Sequence, residues 1–124
     1  MATATPTVTP ISDNAILFTW VLTSTNTDGA PIHPKYSDYR DRSVQISGTF
    51  GSATVVIEGS NISAATTYAT LNDPSSTALS KTAAAFEQIL ELALWMRPNS
   101  SGGGGTQDVA VNILCVRNHL PRGQ

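Results

Sequence analysis

Charge is the scarcest property of this sequence. Only 13% of its 124 residues are Asp, Glu, Lys or Arg, about half the usual share of a soluble domain. Seven basic and nine acidic residues leave a formal net charge of −2, and no basic stripe is present to follow a phosphate backbone. Nucleic acid is therefore not an expected partner. The single cysteine, Cys115, cannot form an internal disulfide. It lies inside the apolar run 109–116, where a free thiol behaves as a small buried hydrophobe. Nowhere do 18 apolar residues run together, so no helical membrane span is expected. Residues 1–10 lack the basic and apolar regions of a signal peptide, and the expectation is synthesis and use in a cytoplasm.

Groups for catalysis are equally thin on the ground. His33 sits in Pro31-Ile32-His33-Pro34 and His119 in the last few residues, neither with a local acid or base beside it. Glu87 and Glu91, four apart, read as residues that keep one side of their segment wet. The run Gly102-Gly103-Gly104-Gly105 is followed by Thr106-Gln107-Asp108, whereas a phosphate-cradling loop needs Lys and then Ser or Thr after its last glycine. Tyr36, Asp38, Tyr39, Arg40, Asp41 and Arg42 form the densest polar stretch. Two carboxylates beside two arginines do not make a calcium site, but Tyr and Arg are enriched at protein interfaces, so this stretch is a candidate contact. The sequon matches at Asn61 and Asn99 carry no weight without a secretory signal. No enzymatic activity, catalytic residue, metal or cofactor is expected.

What is present is the patterning of β-sheet. The segment Ala-Ile-Leu-Phe-Thr-Trp-Val-Leu-Thr over 15–23 has the length and the aromatic and β-branched content of a strand. Over 107–117, Val109, Val111, Ile113 and Cys115 share one face, and Ala110, Asn112, Leu114 and Val116 the other. Residues 43–48 and 53–59, separated by Phe50-Gly51-Ser52, predict a β-hairpin. A short strand fits 67–71, closed by Asn72-Asp73-Pro74. Over 82–91 the spacing of Phe86, Ile89, Leu90, Ala93 and Leu94 predicts a short helix capped by Ser80 or Thr82, followed by a strand over 92–97. Residues 99–105 predict a flexible loop. The Thr/Pro/Ala-rich segment 1–14 predicts an extended arm, and 118–124 a loose tail. Several short strands with one short helix predict a mainly β fold: a jelly-roll-like β-sandwich over 15–117. Trp20 and Trp95 are expected in its core. A carbohydrate-binding module would instead stack Trp20, Trp95 or Tyr68 on a glycan.

The segment Ser-Val-Gln-Ile-Ser-Gly-Thr-Phe-Gly-Ser-Ala-Thr-Val-Val-Ile-Glu-Gly-Ser-Asn over 43–61 resembles a pattern in small proteins encoded among phage head and tail genes. So does the order of the motifs C-terminal to it: Tyr68, Thr70-Leu71, Asn72-Asp73-Pro74, Thr82-Ala83-Ala84, Arg97-Pro98 and the Gly102-to-Gly105 run before a last strand. The resemblance covers about 43–117 and leaves the first 42 residues outside. It implies a virion structural protein, best of all a capsid decoration or cement protein: a homo-oligomer, dimer or trimer, made in the host cytoplasm and bridging major capsid protein subunits on the capsid exterior. A neck or tail joining or fibre-associated subunit is the alternative within the particle. An arm over 1–14 would extend onto a neighbour, with Thr3, Thr5, Val8 and Ile11 as contacts. Tyr36, Tyr39, Arg40 and Arg42 would form a second contact.

Overall fold

The segments read as strands over 15–23 and 107–117 become two of the longest strands. The computed structural model describes residues 3–64 and 67–117. They form eleven strands: β1 (Thr3–Ala4), β2 (Thr7–Ser12), β3 (Ala15–Thr23), β4 (Asp28–Gly29), β5 (Asp41–Thr49), β6 (Thr54–Ser60), β7 (Ala69–Thr70), β8 (Ser80–Lys81), β9 (Ala85–Gln88), β10 (Trp95–Ser101) and β11 (Asp108–Val116). One 3-10 turn, Pro34–Tyr36, is the only helical element among the described residues. Two sheets pack face to face as a β-sandwich. The first has the order β1-β4-β10-β6-β7, with β8 also on β6; the second has the order β2-β3-β11-β5-β9.

The core lies between the sheets. From the five-stranded sheet come Ile16, Phe18, Trp20 and Leu22 of β3, Val44 and Ile46 of β5, and Val109, Val111, Ile113 and Cys115 of β11. Val55, Ile57 and Met96 face them from the other sheet. Because successive strand residues point to opposite faces, this set fixes which residues of β3, β5 and β11 must point outward. Trp20 spans the sandwich, its indole N–H donating to the Ala30 carbonyl at 2.8 Å.

Several expectations are corrected. Residues 43–59 do not form a hairpin. The tight turn is present, with Gly51 and Ser52 both at positive φ and Ala53 N–H donating to Phe50 O at 2.9 Å. Beyond it the strands part, because all of β5 registers with β11 and all of β6 with β10; the longer non-local ladders outcompete the local one. The helix over 82–91 is absent. Residues 85–88 form edge strand β9 against β5, Ile89 and Ala93 turn inward, and Leu90, Leu92 and Leu94 stay exposed. The strand placed at 92–97 starts at Trp95 and continues to Ser101, so the expected loop begins three residues late. Its glycines are tied down by Gly104 N–H to Gly51 O at 2.8 Å and by buried Gln107, which donates to Ser100 Oγ at 2.8 Å. The segment read as a free arm is paired within the sandwich: β1 runs parallel to β4, and β2 is antiparallel to β3 with a bulge between Pro10 and Ser12. The expected tail, 118–124, lies outside the described residues, as do Met1 and Ala2.

Gly48 shows how closely β5 and β11 approach. It sits at φ 121°, and a Cβ there would collide with the Asp108 carbonyl oxygen. Gly105 has open space around it. Gly48→Ala is expected to cost about 2–4 kcal/mol through strain and clash, while Gly105→Ala stays within about 1 kcal/mol of wild type. Urea unfolding of the two variants checks this.

Candidate interaction surfaces

The eight residues expected at interfaces are scattered by the fold. Thr3, Thr5, Val8, Ile11 and Arg40 are exposed, and Tyr36 and Tyr39 are half-buried. Arg42 is turned inward and only 4% exposed. Its Nε donates to Tyr39 O at 2.8 Å, Nη2 donates to Tyr36 O at 3.1 Å, and Nη1 lies 3.8 Å from Met96 Sδ. It thereby fastens the chain around the 3-10 turn to the sandwich, where Tyr36 packs edge-on against Phe18. Burial holds the Arg42 pKa below its ordinary value. Its guanidinium is committed to holding the fold and is not offered to a partner.

Several other chemistry-bearing side chains are similarly engaged. His33 Nδ1 accepts from Lys35 N–H at 3.0 Å and caps the turn. Glu91 accepts from the Asn72 backbone N–H and from the Asn72 side chain, each at 2.7 Å, and these bonds hold its carboxyl below the usual range. Lys81 pairs with Glu87 at 3.3 Å. Among the described residues no three His, Cys, Asp or Glu side chains converge as a metal site. Trp20 is sealed in the core and cannot stack on a sugar. Trp95 departs from expectation, since it is half-buried on the outer side of β10 and edge-on to His33. The Tyr68 ring is covered by the Arg97 guanidinium at 3.9 Å.

The outer faces of the two sheets differ in character. On the sheet containing β6 and β10, Arg97 pairs with Glu58 at 2.7 Å beside Tyr68. On the five-stranded sheet, the outward positions carry Ala15, Leu17, Thr19, Val21 and Thr23 of β3, Ala110, Asn112, Leu114 and Val116 of β11, Ser43, Gln45, Ser47 and Thr49 of β5, and Phe86 and Gln88 of β9. Asp41 and Asp108 are the only ionisable residues at these positions, and they occupy opposite ends. Polar groups here satisfy one another, as in Thr19 Oγ1 donating to Asn112 Oδ1 at 2.7 Å. Phe86 is 66% exposed on edge strand β9, and Ile11, brought round by the bulge in β2, is 58% exposed on the opposite edge. Between them lies a trough of about 310 Å³ lined by Leu17, Ser43, Gln45, Asn112 and Leu114.

A second apolar patch is separate from this trough. Ile62, Leu90, Leu92 and Leu94 are all exposed, and Ile62 and Leu92 border a hollow of about 340 Å³ beside Tyr68. Phe86, Leu90 and Leu94 escape a sequence reading as surface residues because their helical spacing puts them on one face with Ile89 and Ala93, and Leu92 falls in the strand expected over 92–97. The signal that could have found the trough was Leu114 on the second face of an alternating strand, where a polar residue is the norm.

Cys115 is fully buried, and burial pushes its thiol up to about 11, opposed in part by the charge of Arg42. Because the folded state holds this proton more tightly than the unfolded chain, its contribution to stability is complete below about pH 9 and is lost as pH rises through about 11. Relative to Cys115→Ala, the wild type is expected to lose roughly 2 kcal/mol across that window. Urea midpoints measured against pH for both proteins check the slope.

No protein-family model and no curated protein matches the chain.

Proposed function

We propose that this protein is a non-enzymatic structural component of a bacteriophage particle, a capsid decoration or cement protein that joins major coat subunits on the outer surface of the shell. One observation carries the reading: a sparsely charged β-sandwich presents two separate apolar patches, one at Phe86 and Ile11 and one at Ile62 and Leu92. Bridging requires at least two sticky surfaces held at a fixed separation, and two packed sheets supply that rigidity. The resemblance over 43–117 to proteins of phage head and tail genes supports the same conclusion. Shell pressure from packaged DNA pulls coat subunits apart, and area buried across their junctions opposes it.

Mass spectrometry and electron microscopy of purified particles from an infected host test the proposal. Many copies spread over the shell are expected. A single small ring would move the protein to the neck or tail, and its absence from particles would overturn the virion assignment. Leu92→Glu is expected to weaken attachment to capsids by roughly tenfold or more while changing folding stability by no more than about 0.5 kcal/mol. Capsid co-sedimentation and thermal unfolding measure the two quantities.

A further inference from the structure

Strand β9 closes one side of the five-stranded sheet, and its backbone specifies what can pair there. Ile89 N–H donates to Arg42 O at 2.9 Å, and the register sets Gln88 opposite Ser43, Glu87 opposite Val44 and Ala85 opposite Ile46. Hydrogen-bonded and non-hydrogen-bonded pairs alternate along an antiparallel ladder. Ile89, Glu87 and Ala85 therefore bond to β5, and the N–H and C=O groups of Phe86 and Gln88 point the other way. Among the described residues no strand lies on that side of β9. Leu90 N–H, of the same parity, is taken by Asn72 O at 2.8 Å, and at the other end the chain bends at Thr82 and Ala83. The open edge thus runs from Ala84 to Gln88.

We propose that two copies of this chain pair along this edge, β9 antiparallel to β9 about a two-fold axis perpendicular to the sheet at Phe86, so that two five-stranded sheets become one continuous sheet. The inference deepens the proposed function only in naming what meets Phe86. It rests on Phe86 being a protein contact and not on the phage assignment.

Three features select a second copy. The first is an unprotected edge. The other sheet margins carry features that discourage strand pairing: β2 has Pro10 and a bulge, and β1 and β7 are two residues long. β9 has neither proline nor bulge, and its one charge, Glu87, is held by Lys81 of the same chain at 3.3 Å. The second is length. An edge closed by Asn72 at one end and by bends at the other accepts a strand of its own length. A two-fold axis sets the closed end of each copy against the bends of the other, so neither obstructs the pairing. The third is register. Centred on Phe86, the ladder pairs Ala84 with the other copy's Gln88 and Phe86 with its own counterpart, which engages every free backbone group of the edge. Two rings, each 66% exposed in a single copy, then lie side by side on the outer face, a favourable cross-strand pair. Centring on Glu87 would set a carboxylate opposite itself and bring Ala84 to Leu90, whose N–H is already bonded. Centring on Ala85 would bring Gln88 to the bend at Thr82. A single strand pair is smaller than a standard interface of ~1,600 Å², so a dissociation constant of about 10–100 µM is expected.

Proline at position 88 isolates the edge. The Gln88 N–H is bonded only in the pair, and proline is tolerated on an edge strand where the N–H faces solvent. Sedimentation equilibrium of the full chain, from about 1 to 500 µM, is expected to show a dimer for wild type, self-association weakened roughly tenfold or more in Gln88→Pro, and no change in Leu92→Glu. Amide hydrogen exchange followed by NMR reads the register: Ala84, Phe86 and Gln88 are expected to slow severalfold as concentration rises through the dimer transition, while Ala85 and Glu87 are protected throughout. Circular dichroism establishes whether Gln88→Pro is folded, and if it is not, the wild-type amide pattern decides. A wild type that stays monomeric, a trimer, a folded Gln88→Pro that dimerises like wild type, or a dimer whose Ala84, Phe86 and Gln88 amides are indifferent to concentration would overturn the proposal. Protection of these amides on capsids alone would give the edge to a coat-protein strand and overturn the second copy. Particle composition is measured separately: a monomer found in virions would sink the dimer alone, and a dimer missing from virions would sink the virion assignment alone.

Discussion

Every residue of β11 has a register partner on both sides, in β3 along one edge and in β5 along the other, its backbone groups bonding to the two alternately. This double pairing is the constraint from which the rest of the architecture derives. A strand enclosed on both edges has only its two faces left to choose between, and Val109, Val111, Ile113 and Cys115 commit one face to the core. A slip of one residue would exchange these for Ala110, Asn112, Leu114 and Val116. Leu114 and Val116 are therefore forced outward although both are apolar. The apolar side chains on that outer face are thus a by-product of the register that builds the core.

The legible parts of the sequence were those in which a single strand speaks for itself. Length and composition over 15–23 located β3, and the two faces read over 107–117 located β11 and placed Cys115 inside. What the residues could not reveal was which strand neighbours which. The Gly51-Ser52 turn has the local geometry of a hairpin, yet its two strands enter different sheets because pairing is decided by the most extensive ladder available in the whole fold. The segment 82–94 misled for another reason. Its apolar residues satisfy two periodicities at once, and the chain there runs extended at a sheet margin, with only Ile89 and Ala93 drawn in.

Surface character was the least legible property. Low charge was evident from composition, but its uneven distribution was not. Glu58, Arg97 and Tyr68 gather on one outer face, while the opposite outer face keeps only terminal carboxylates. Arg42 makes the same point inversely. In the sequence it stands among tyrosines and aspartates as part of an exposed-looking polar stretch. In the fold it is a buried clasp on two backbone carbonyls, since position 42 falls on the inward parity of β5, two residues before Val44.

Seven of the ten connections between the described strands change sheet; the exceptions are β2 to β3, β6 to β7 and β7 to β8. Almost no part of the sandwich can therefore form from neighbours in sequence, and chain-closure entropy must be overcome before most native contacts return any energy. Such a topology belongs to the slow class of small domains, acquiring structure on the order of milliseconds to seconds. During that interval the unpaired strands and the leucines of 90–94 are open to other nascent chains, so a protein of this design is most vulnerable to aggregation while it is being made.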